Sequence, residues 1–214
     1  YDFIKSEETK MLKFKISYRT LQYIIFIIIF TFFSGITVLS RPVLAHEGHA
    51  GKQVVFLKKD EALKQMLPAG AKVVQRKEML DRGKAEKAKK ELGVKLDEGV
   101  YTYYVARDSK SGATIGAAMV AEVEYLHGDV NLAIGIDANG NVTKAAILSV
   151  NEKYVPDMKA SVGTGYLHRL EGVTIKKLVS MADEASGSAK VTETIFSKMR
   201  DMAALLSTFV TASQ

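Results

Sequence analysis

A short loop near the end of the chain has the composition of a phosphate-binding site. Residues 183–190 read DEASGSAK and lead into an amphipathic segment. Gly187 would let the backbone approach an anion closely, and the free N–H groups of a following helix would carry partial positive charge. Ser186, Ser188 and Lys190 add two hydroxyl groups and a cation. Together these features predict an anion site at the start of the last helix.

The same loop also has an ordinary structural interpretation. A Ser-Gly-Ser sequence is typical of a polar turn, in which Ser188 would be the N-cap of the last helix. Asp183 can equally be a cap at the entry to that helix. The local residues leave both interpretations open.

Two histidines are candidate metal ligands. If the chain is cleaved after Ala45, the new amino terminus and the imidazole of His46, with His49 three residues on, offer nitrogen donors for Cu(II) or Ni(II). Two histidines on a polar tail are also typical of a loose, adventitious site. Of the other two histidines, His127 is predicted at the surface and His168 partly buried.

The composition narrows the possible chemistry. The chain has no cysteine, which excludes disulfides, thiolate zinc sites and cysteine-ligated iron–sulfur clusters. Redox chemistry would therefore need an organic cofactor or a histidine-bound metal. From residue 46 onward, 24 lysines and arginines stand against 21 aspartates and glutamates. This bias is too weak to indicate a nucleic-acid partner.

The start of the chain is predicted to direct export. Residues 1–10 are interpreted as upstream translation, and residues 11–45 as a signal peptide or an N-terminal membrane anchor. The apolar run within 21–39 could associate with a membrane. Both interpretations place the rest of the chain in the periplasm or otherwise outside the cytoplasm. Residues 46–59 are then a flexible polar lead, and 60–214 form one domain.

The periodicity of that domain predicts an α+β fold. N-terminal helices precede an antiparallel sheet of about four or more strands, and a C-terminal amphipathic helix closes the domain. Gly93 is expected to end the second helix, and Asn139-Gly140 to form a hairpin turn. The predicted helices are 60–67, 78–92, 166–170, 173–178 and 191–209, and the predicted strands are 73–75, 99–107, 115–125, 129–136 and 142–150.

Four segments, in this order, resemble the FMN-binding domain family. They are 61–74 (EALKQMLPAGAKVV), 101–120 (YTYYVARDSKSGATIGAAMV), 132–153 (LAIGIDANGNVTKAAILSVNEK) and 183–199 (DEASGSAKVTETIFSKM). The family's domain occurs in subunits of the Rnf and sodium-translocating NADH:quinone reductase complexes and in standalone exported proteins. The resemblance covers residues 60–210 and implies an electron carrier that binds FMN.

The resemblance implies roles for several residues. Glu152 corresponds to a glutamate that follows the family's hairpin, although a solvated charge at a strand end is the plainer interpretation. Tyr154 and Tyr166 flank the segment after it and could stack on a flavin ring, although tyrosines of such a sheet are mostly core residues. The family's loop ends in a threonine that can be esterified to the FMN phosphate, and here Ala189 stands in its place. Because alanine has no hydroxyl, FMN is expected to bind non-covalently at residues 183–190.

A second stretch fits the family's attachment motif letter for letter. Residues 108–114 read DSKSGAT, which makes Thr114 a candidate for flavin attachment. The stretch lies between two predicted strands, however, and not before the last helix. Its Ser, Lys and Gly residues are also what a hairpin turn requires.

These observations indicate an exported flavin-binding electron-transfer protein, more a carrier than an enzyme with its own substrate. Its partner would be a redox protein in the membrane or outside the cytoplasm, and the flavin would supply the chemistry. Two alternatives stay open. One is a flavin-free member of the family that acts as a structural or interaction module. The other is a periplasmic copper- or nickel-binding protein that uses His46 and His49.

Overall fold

The computed structural model describes residues 51–161 and 166–211, which form six strands, five α-helices and two 3-10 segments. The strands are β1 Gln53–Val55, β2 Lys72–Leu80, β3 Gly99–Arg107, β4 Thr114–Tyr125, β5 Gly128–Asp137 and β6 Val142–Asn151. The α-helices are α1 Lys59–Met66, α2 Arg82–Leu92, α3 Val155–Ser161, α4 Ile175–Ala185 and α5 Lys190–Thr211, and the 3-10 segments are Glu152–Tyr154 and Tyr166–Leu170. The α+β class and the closing C-terminal helix are confirmed.

All six strands belong to one antiparallel sheet with the order β1-β6-β5-β4-β3-β2. From β2 to β6 each strand pairs with the next one along the chain. Short turns connect β3 to β6 as consecutive hairpins, whereas α2 lies between β2 and β3. The Asn-Gly hairpin is confirmed: the Asp137 carboxylate accepts hydrogen bonds from the N–H groups of Asn139 at 2.9 Å and Asn141 at 2.8 Å. Gly140 there has φ 79°, a conformation that glycine adopts without strain.

Three predictions about residues 53–92 are wrong. The strand predicted at 73–75 has nine residues, and the helix predicted to begin at 78 begins at Arg82. The side chain of Asp81 accepts a hydrogen bond from the N–H of Lys84 at 2.9 Å and so caps α2. The helix ends where predicted, at Gly93, whose φ is 72°. Residues 53–55, expected within a flexible lead, form the edge strand β1.

Helices cover the sheet on both faces. On one face α1 lies across the central strands, where Met66 is 1% exposed and its carbonyl oxygen accepts a hydrogen bond from the Thr143 hydroxyl at 2.7 Å. The other face carries the main core, and α5 crosses β4 and β5 there. Ile195 and Met199 of α5 are completely buried, which agrees with the apolar spacing predicted for this helix.

The direction of α5 separates the two ends of the sheet. Its first residue, Lys190, shares a surface groove with Val123 near the end of β4. Close to its other end, Val210 lies beside Thr114, the first residue of β4. Twenty residues of helix therefore separate these two places, which is about 30 Å at 1.5 Å per residue.

A polar network anchors the C-terminal end of α5. Glu78 of β2 accepts hydrogen bonds from Lys84 Nζ at 2.8 Å and from the Tyr103 hydroxyl at 2.7 Å. Phe209 of α5 stacks on the Tyr103 ring with centroids 5.1 Å apart. Burial would by itself raise the pKa of Glu78, but those hydrogen bonds and the positive charges of Lys84 and Arg76 outweigh it and hold the pKa of Glu78 below its ordinary value of 4.5.

Replacing Glu78 with glutamine is expected to lower the free energy of unfolding by about 1–2 kcal/mol at pH 7, because two charge-assisted hydrogen bonds weaken. Since the folded-state pKa is depressed, the carboxylate stabilises the fold above about pH 4.5, and this contribution is lost as the pH falls through the folded-state value. Urea titrations at pH 7 and below pH 4.5 should show the deficit of the variant shrinking on acidification. The exposed Glu98→Gln is the control, and an equal deficit in both variants would contradict the role of the network.

Within residues 51–161 and 166–211, no helix combines the length and apolarity needed to cross a bilayer. The predicted signal or anchor at 11–45 lies outside these residues, as do His46 and His49.

Candidate functional site

The turn between α4 and α5 contains the predicted anion loop. The N–H of Ser186 donates to the carbonyl of Asp183 at 3.1 Å, and the N–H of Ser188 donates to the carbonyl of Ala185 at 3.0 Å. Gly187 between them has φ 82°, which only glycine adopts readily. A β carbon added to Gly187 would meet no heavy atom within 4 Å. The turn is therefore open to solvent, and glycine is needed for its backbone conformation and not for lack of space.

Both capping interpretations of this loop are wrong. The Ser188 hydroxyl points back and donates to the carbonyl of Ala185 at 2.6 Å, so it is engaged by the end of α4. Ala189 occupies the N-cap position of α5, and its carbonyl accepts from the N–H of Glu193 at 3.1 Å. Asp183 lies in the last turn of α4. As a consequence, α5 begins without a side-chain cap from these residues, and the N–H groups of its first turn face a solvent-exposed turn.

Lys190 provides the positive charge at this helix start. Its side chain is 68% exposed, and its Nζ lies 3.8 Å from a carboxylate oxygen of Glu193. Such an exposed pair contributes little energy, so the ammonium group can turn toward an anion. The Glu193 carboxylate competes with that anion for the same cation.

A second set of charges ties α4 to α5. Arg200 of α5 lies 3.8 Å from the Asp183 carboxylate and 2.9 Å from that of Asp201. Burial raises the pKa of Asp201 even though Arg200 stands beside it. Asp183 therefore lies in the last turn of α4, in an exposed ion pair with α5, and does not cap a helix.

A groove extends from Lys190 along the exposed side of α5. Its volume is about 250 Å³, and it is lined mainly by polar side chains: Val123, Lys190, Glu193, Thr194, Ser197, Lys198 and Asp201. Pockets that enclose drug-sized ligands typically measure about 300–1,000 Å³ and are mostly apolar. This groove is smaller and more polar than such pockets, so a ligand in it would lie on a shallow and largely polar surface.

The segment after β6 lies at the same end of the sheet as the turn. The register pairs Tyr125 with Gly128 and Val130 with Val150, and this end of β4 is the one that Lys190 of α5 approaches. Glu152 follows directly after β6 and is exposed. The structure thus brings Glu152 and the predicted anion loop to one end of the sheet.

Tyr154 is a core residue and offers no free ring face. It is 5% exposed and packs edge-on against Tyr125 with ring centroids 5.2 Å apart. Its hydroxyl accepts from the N–H of His127 at 3.2 Å. Because its ring is buried, Tyr154 cannot stack on a flavin as the resemblance implied. Tyr166 begins a 3-10 segment, and its side chain lies outside the described part of the structure.

Thr114 lies at the opposite end of the sheet, about 30 Å of helix away from the turn. The loop before it is a hairpin tip that the Asp108 carboxylate organises by accepting from the N–H of Ser111 at 2.7 Å and from its hydroxyl at 2.8 Å. Gly112 takes φ 71° there. The residues of this stretch that match the attachment motif are therefore explained by the hairpin turn that they form. Thr114 and the α4–α5 turn cannot belong to one site.

The predictions for two of the histidines, His127 and His168, can be compared with the structure. His127 is exposed as predicted. His168 was predicted to be partly buried, but its side chain is 64% exposed and pairs with Glu171 at 2.8 Å. The described residues contain no cluster of three or more histidines, aspartates and glutamates that could hold a metal ion.

Two arginines near Thr114, Arg76 and Arg107, were not singled out from the sequence. They line the same depression as Thr114. The strand prediction at 73–75 stopped before Arg76, so no face of the sheet could be assigned to it. Arg107 lies on the neighbouring strand β3, and only the register between the two strands places both arginines on one face.

No family model, curated protein or solved structure matches the chain. The fold and the site define an α+β domain with an antiparallel sheet and a solvent-open turn at the start of its longest helix. The assignment of a function therefore depends on the chemistry of that turn.

Proposed function

We propose that this chain is an exported electron carrier that binds FMN non-covalently, with the phosphate at the α4–α5 turn. The observation that carries the proposal is the turn itself. Gly187 lies at positive φ with open space around it, and the 22-residue helix α5 begins three residues later with the exposed Lys190. Free N–H groups, a helix dipole and an ammonium group at one place favour a phosphate.

Non-covalent binding follows from Ala189. It stands where the resembling family has its acceptor threonine, and it has no hydroxyl to esterify. The groove that leads from Lys190 along α5 would hold the rest of the cofactor. Because that groove is shallow, one edge of the ring would stay accessible to a redox partner in the membrane or outside the cytoplasm. The flavin would supply the redox chemistry, and the protein would bind and orient it.

The test is an absorbance spectrum and an intact mass of the full chain, purified in a non-ionic detergent from a host that also expresses a flavin transferase. We expect flavin absorbance that is lost on acid precipitation, with an unmodified protein mass. Lys190→Gln should weaken FMN binding about 10-fold, because a charge-assisted contact to the phosphate is lost. Lys176→Gln, an exposed lysine at the far end of α4, is the matched control.

A gain-of-function variant sharpens this test. Ala189→Thr restores a hydroxyl at the exposed start of α5, and the transferase should then add one FMN residue to the protein. A covalent FMN on the wild-type chain would contradict the non-covalent proposal and direct attention to Thr114. Wild-type chain that contains no flavin and binds none when soaked with FMN would overturn the carrier function.

A second candidate is a flavin-free structural or interaction module. Two observations favour it: the Ser188 hydroxyl is engaged by the carbonyl of Ala185, and the groove beside Lys190 measures about 250 Å³ with a mostly polar lining. A colourless protein that gives no FMN adduct in the Ala189→Thr variant would select this candidate.

A further inference from the structure

A concentration of positive charge surrounds Thr114, at the end of the sheet opposite the α4–α5 turn. One small depression is lined by two arginines, a threonine and three core side chains: Arg76, Arg107, Thr114, Tyr103, Val105 and Val210. None of these residues takes part in the proposed flavin site. The flavin proposal therefore does not account for two arginines and a threonine lining one depression.

The register of the strands explains why these side chains meet. Arg76 is paired with Tyr103, and Arg107 lies four residues further along β3 and is paired with Thr114 of β4. Directly paired residues project to the same face of a sheet, as do residues two and four apart along a strand. Both arginines and the threonine therefore project to the α5 face. Lys72, paired with Arg107, adds a further positive charge at this edge.

Neither arginine forms an ion pair within 4.0 Å in the described residues, although the charge of Arg76 is felt by Glu78. Both are half-buried, and the ion pairs found within 51–161 and 166–211 all involve other residues. The acidic side chains beside them in the sequence are engaged elsewhere. Glu78 binds Lys84 and the Tyr103 hydroxyl, and Asp108 binds within its own turn. A half-buried guanidinium with no direct ion pair favours an external anion.

The size of the depression restricts that anion. Its volume is about 10 Å³, which is room for about one water-sized group. One oxygen of an oxyanion could enter while the remaining oxygens stay at the mouth, within reach of the arginines. Planar guanidinium groups bind phosphate oxygens in a bidentate manner, and the Thr114 hydroxyl adds a third donor. A phosphate monoester carries about −1.5 to −2 charge and three strong acceptor oxygens, so it satisfies two guanidinium groups and a hydroxyl better than a carboxylate does.

We propose that Arg76, Arg107 and Thr114 form a binding site for a phosphate group. The phosphate is either free or the terminal group of a phosphomonoester whose organic part stays in solvent. The site is independent of the flavin proposal, since the length of α5 separates the two places. Either proposal could be refuted without affecting the other.

The experiment is equilibrium dialysis of the full chain, in non-ionic detergent, against radiolabelled inorganic phosphate. We expect saturable binding that weakens about 10-fold in Arg76→Gln and in Arg107→Gln, and more in the double variant. Thr114→Val should weaken binding about threefold. Lys77→Gln is the matched control because Lys77 lies on the same strand and projects to the opposite face. It should bind phosphate within twofold of wild type.

Two further arms complete the test. Competition by methyl phosphate as strong as by inorganic phosphate would identify phosphomonoesters as the source, and weaker competition would identify free phosphate. Arg76→Lys and Arg107→Lys retain charge and are expected to fold, so a loss of binding in them reports the bidentate geometry. Binding that is unchanged in the double glutamine variant, or that is absent from wild-type chain at millimolar phosphate, would overturn the proposal. Phosphate held at the start of α5 would survive the arginine substitutions and weaken about 10-fold in Lys190→Gln.

Discussion

Replacing Phe209 with alanine is expected to lower the free energy of unfolding by about 3–5 kcal/mol, the usual cost of truncating a buried aromatic side chain. Phe209 is completely buried. Its ring stacks on Tyr103 at 5.1 Å and lies at 6.3 Å from the ring of Tyr101. The Nζ of Lys84 stands 5.7 Å from the centre of the same ring. The substitution therefore removes apolar contacts and an aromatic pair at once.

The effect should extend beyond the cavity. Phe209 joins the C-terminal part of α5 to the network of Glu78, Lys84 and Tyr103, so its loss should also loosen α2 against β2. Urea unfolding followed by far-UV circular dichroism measures the total loss. Phe56→Ala is the matched control because Phe56 is 47% exposed, and it should stay within about 0.5 kcal/mol of wild type. A loss for Phe209→Ala no larger than for Phe56→Ala would contradict the packing of α5.

Replacing Gly135 with alanine is expected to destabilise the domain by about 2–3 kcal/mol through overpacking. A β carbon at Gly135 would lie 2.5 Å from Thr143 Oγ1 and 2.7 Å from Met66 Cβ. The same side chains form the contact between α1 and the sheet, since the Thr143 hydroxyl donates to the Met66 carbonyl. The added methyl group therefore has to displace α1 or the hairpin of β5 and β6.

The damage should be local to the α1 face. Hydrogen exchange should speed up in α1 far more than in α5, because α5 packs on the other side of the sheet. Gly99→Ala is the matched control, since its β carbon would meet only the Tyr101 ring at ordinary contact distances of 3.8 and 4.0 Å. If both alanine variants were equally stable, the close seating of α1 on Gly135 would be refuted.

Local residue patterns were enough to predict most elements of this fold. The Asn-Gly turn between β5 and β6 depends on side-chain hydrogen bonds within five residues and on one glycine at positive φ, so its sequence identifies it. Gly93 ends α2 for the same local reason. The apolar spacing of α5 also fixes the face that it buries, because the helical period is a property of the backbone.

The wrong predictions concern β1 and β2, whose structure depends on pairing with a strand that is distant in the sequence. Residues 78–80 were predicted to begin a helix, yet they pair with 99–101 as part of an edge strand. β1 exists because Gln53 to Val55 pair with β6, nearly 100 residues away. Contacts at that separation leave little trace in the local sequence, since neither strand has a strong alternation of its own.

The candidate site divides in the same way. Composition alone indicated a turn at 183–190 with glycine, hydroxyls and a lysine, because those residue types suit a turn whatever surrounds them. Only the tertiary structure decided that the Ser188 hydroxyl closes α4, that Tyr154 is buried, and that Thr114 lies at the other end of α5. It also brought Arg76 and Arg107 together from two strands. The period of a strand or helix depends on neighbouring residues and can be recognised in the sequence. The contact between two distant side chains depends on how the whole sheet and its helices pack.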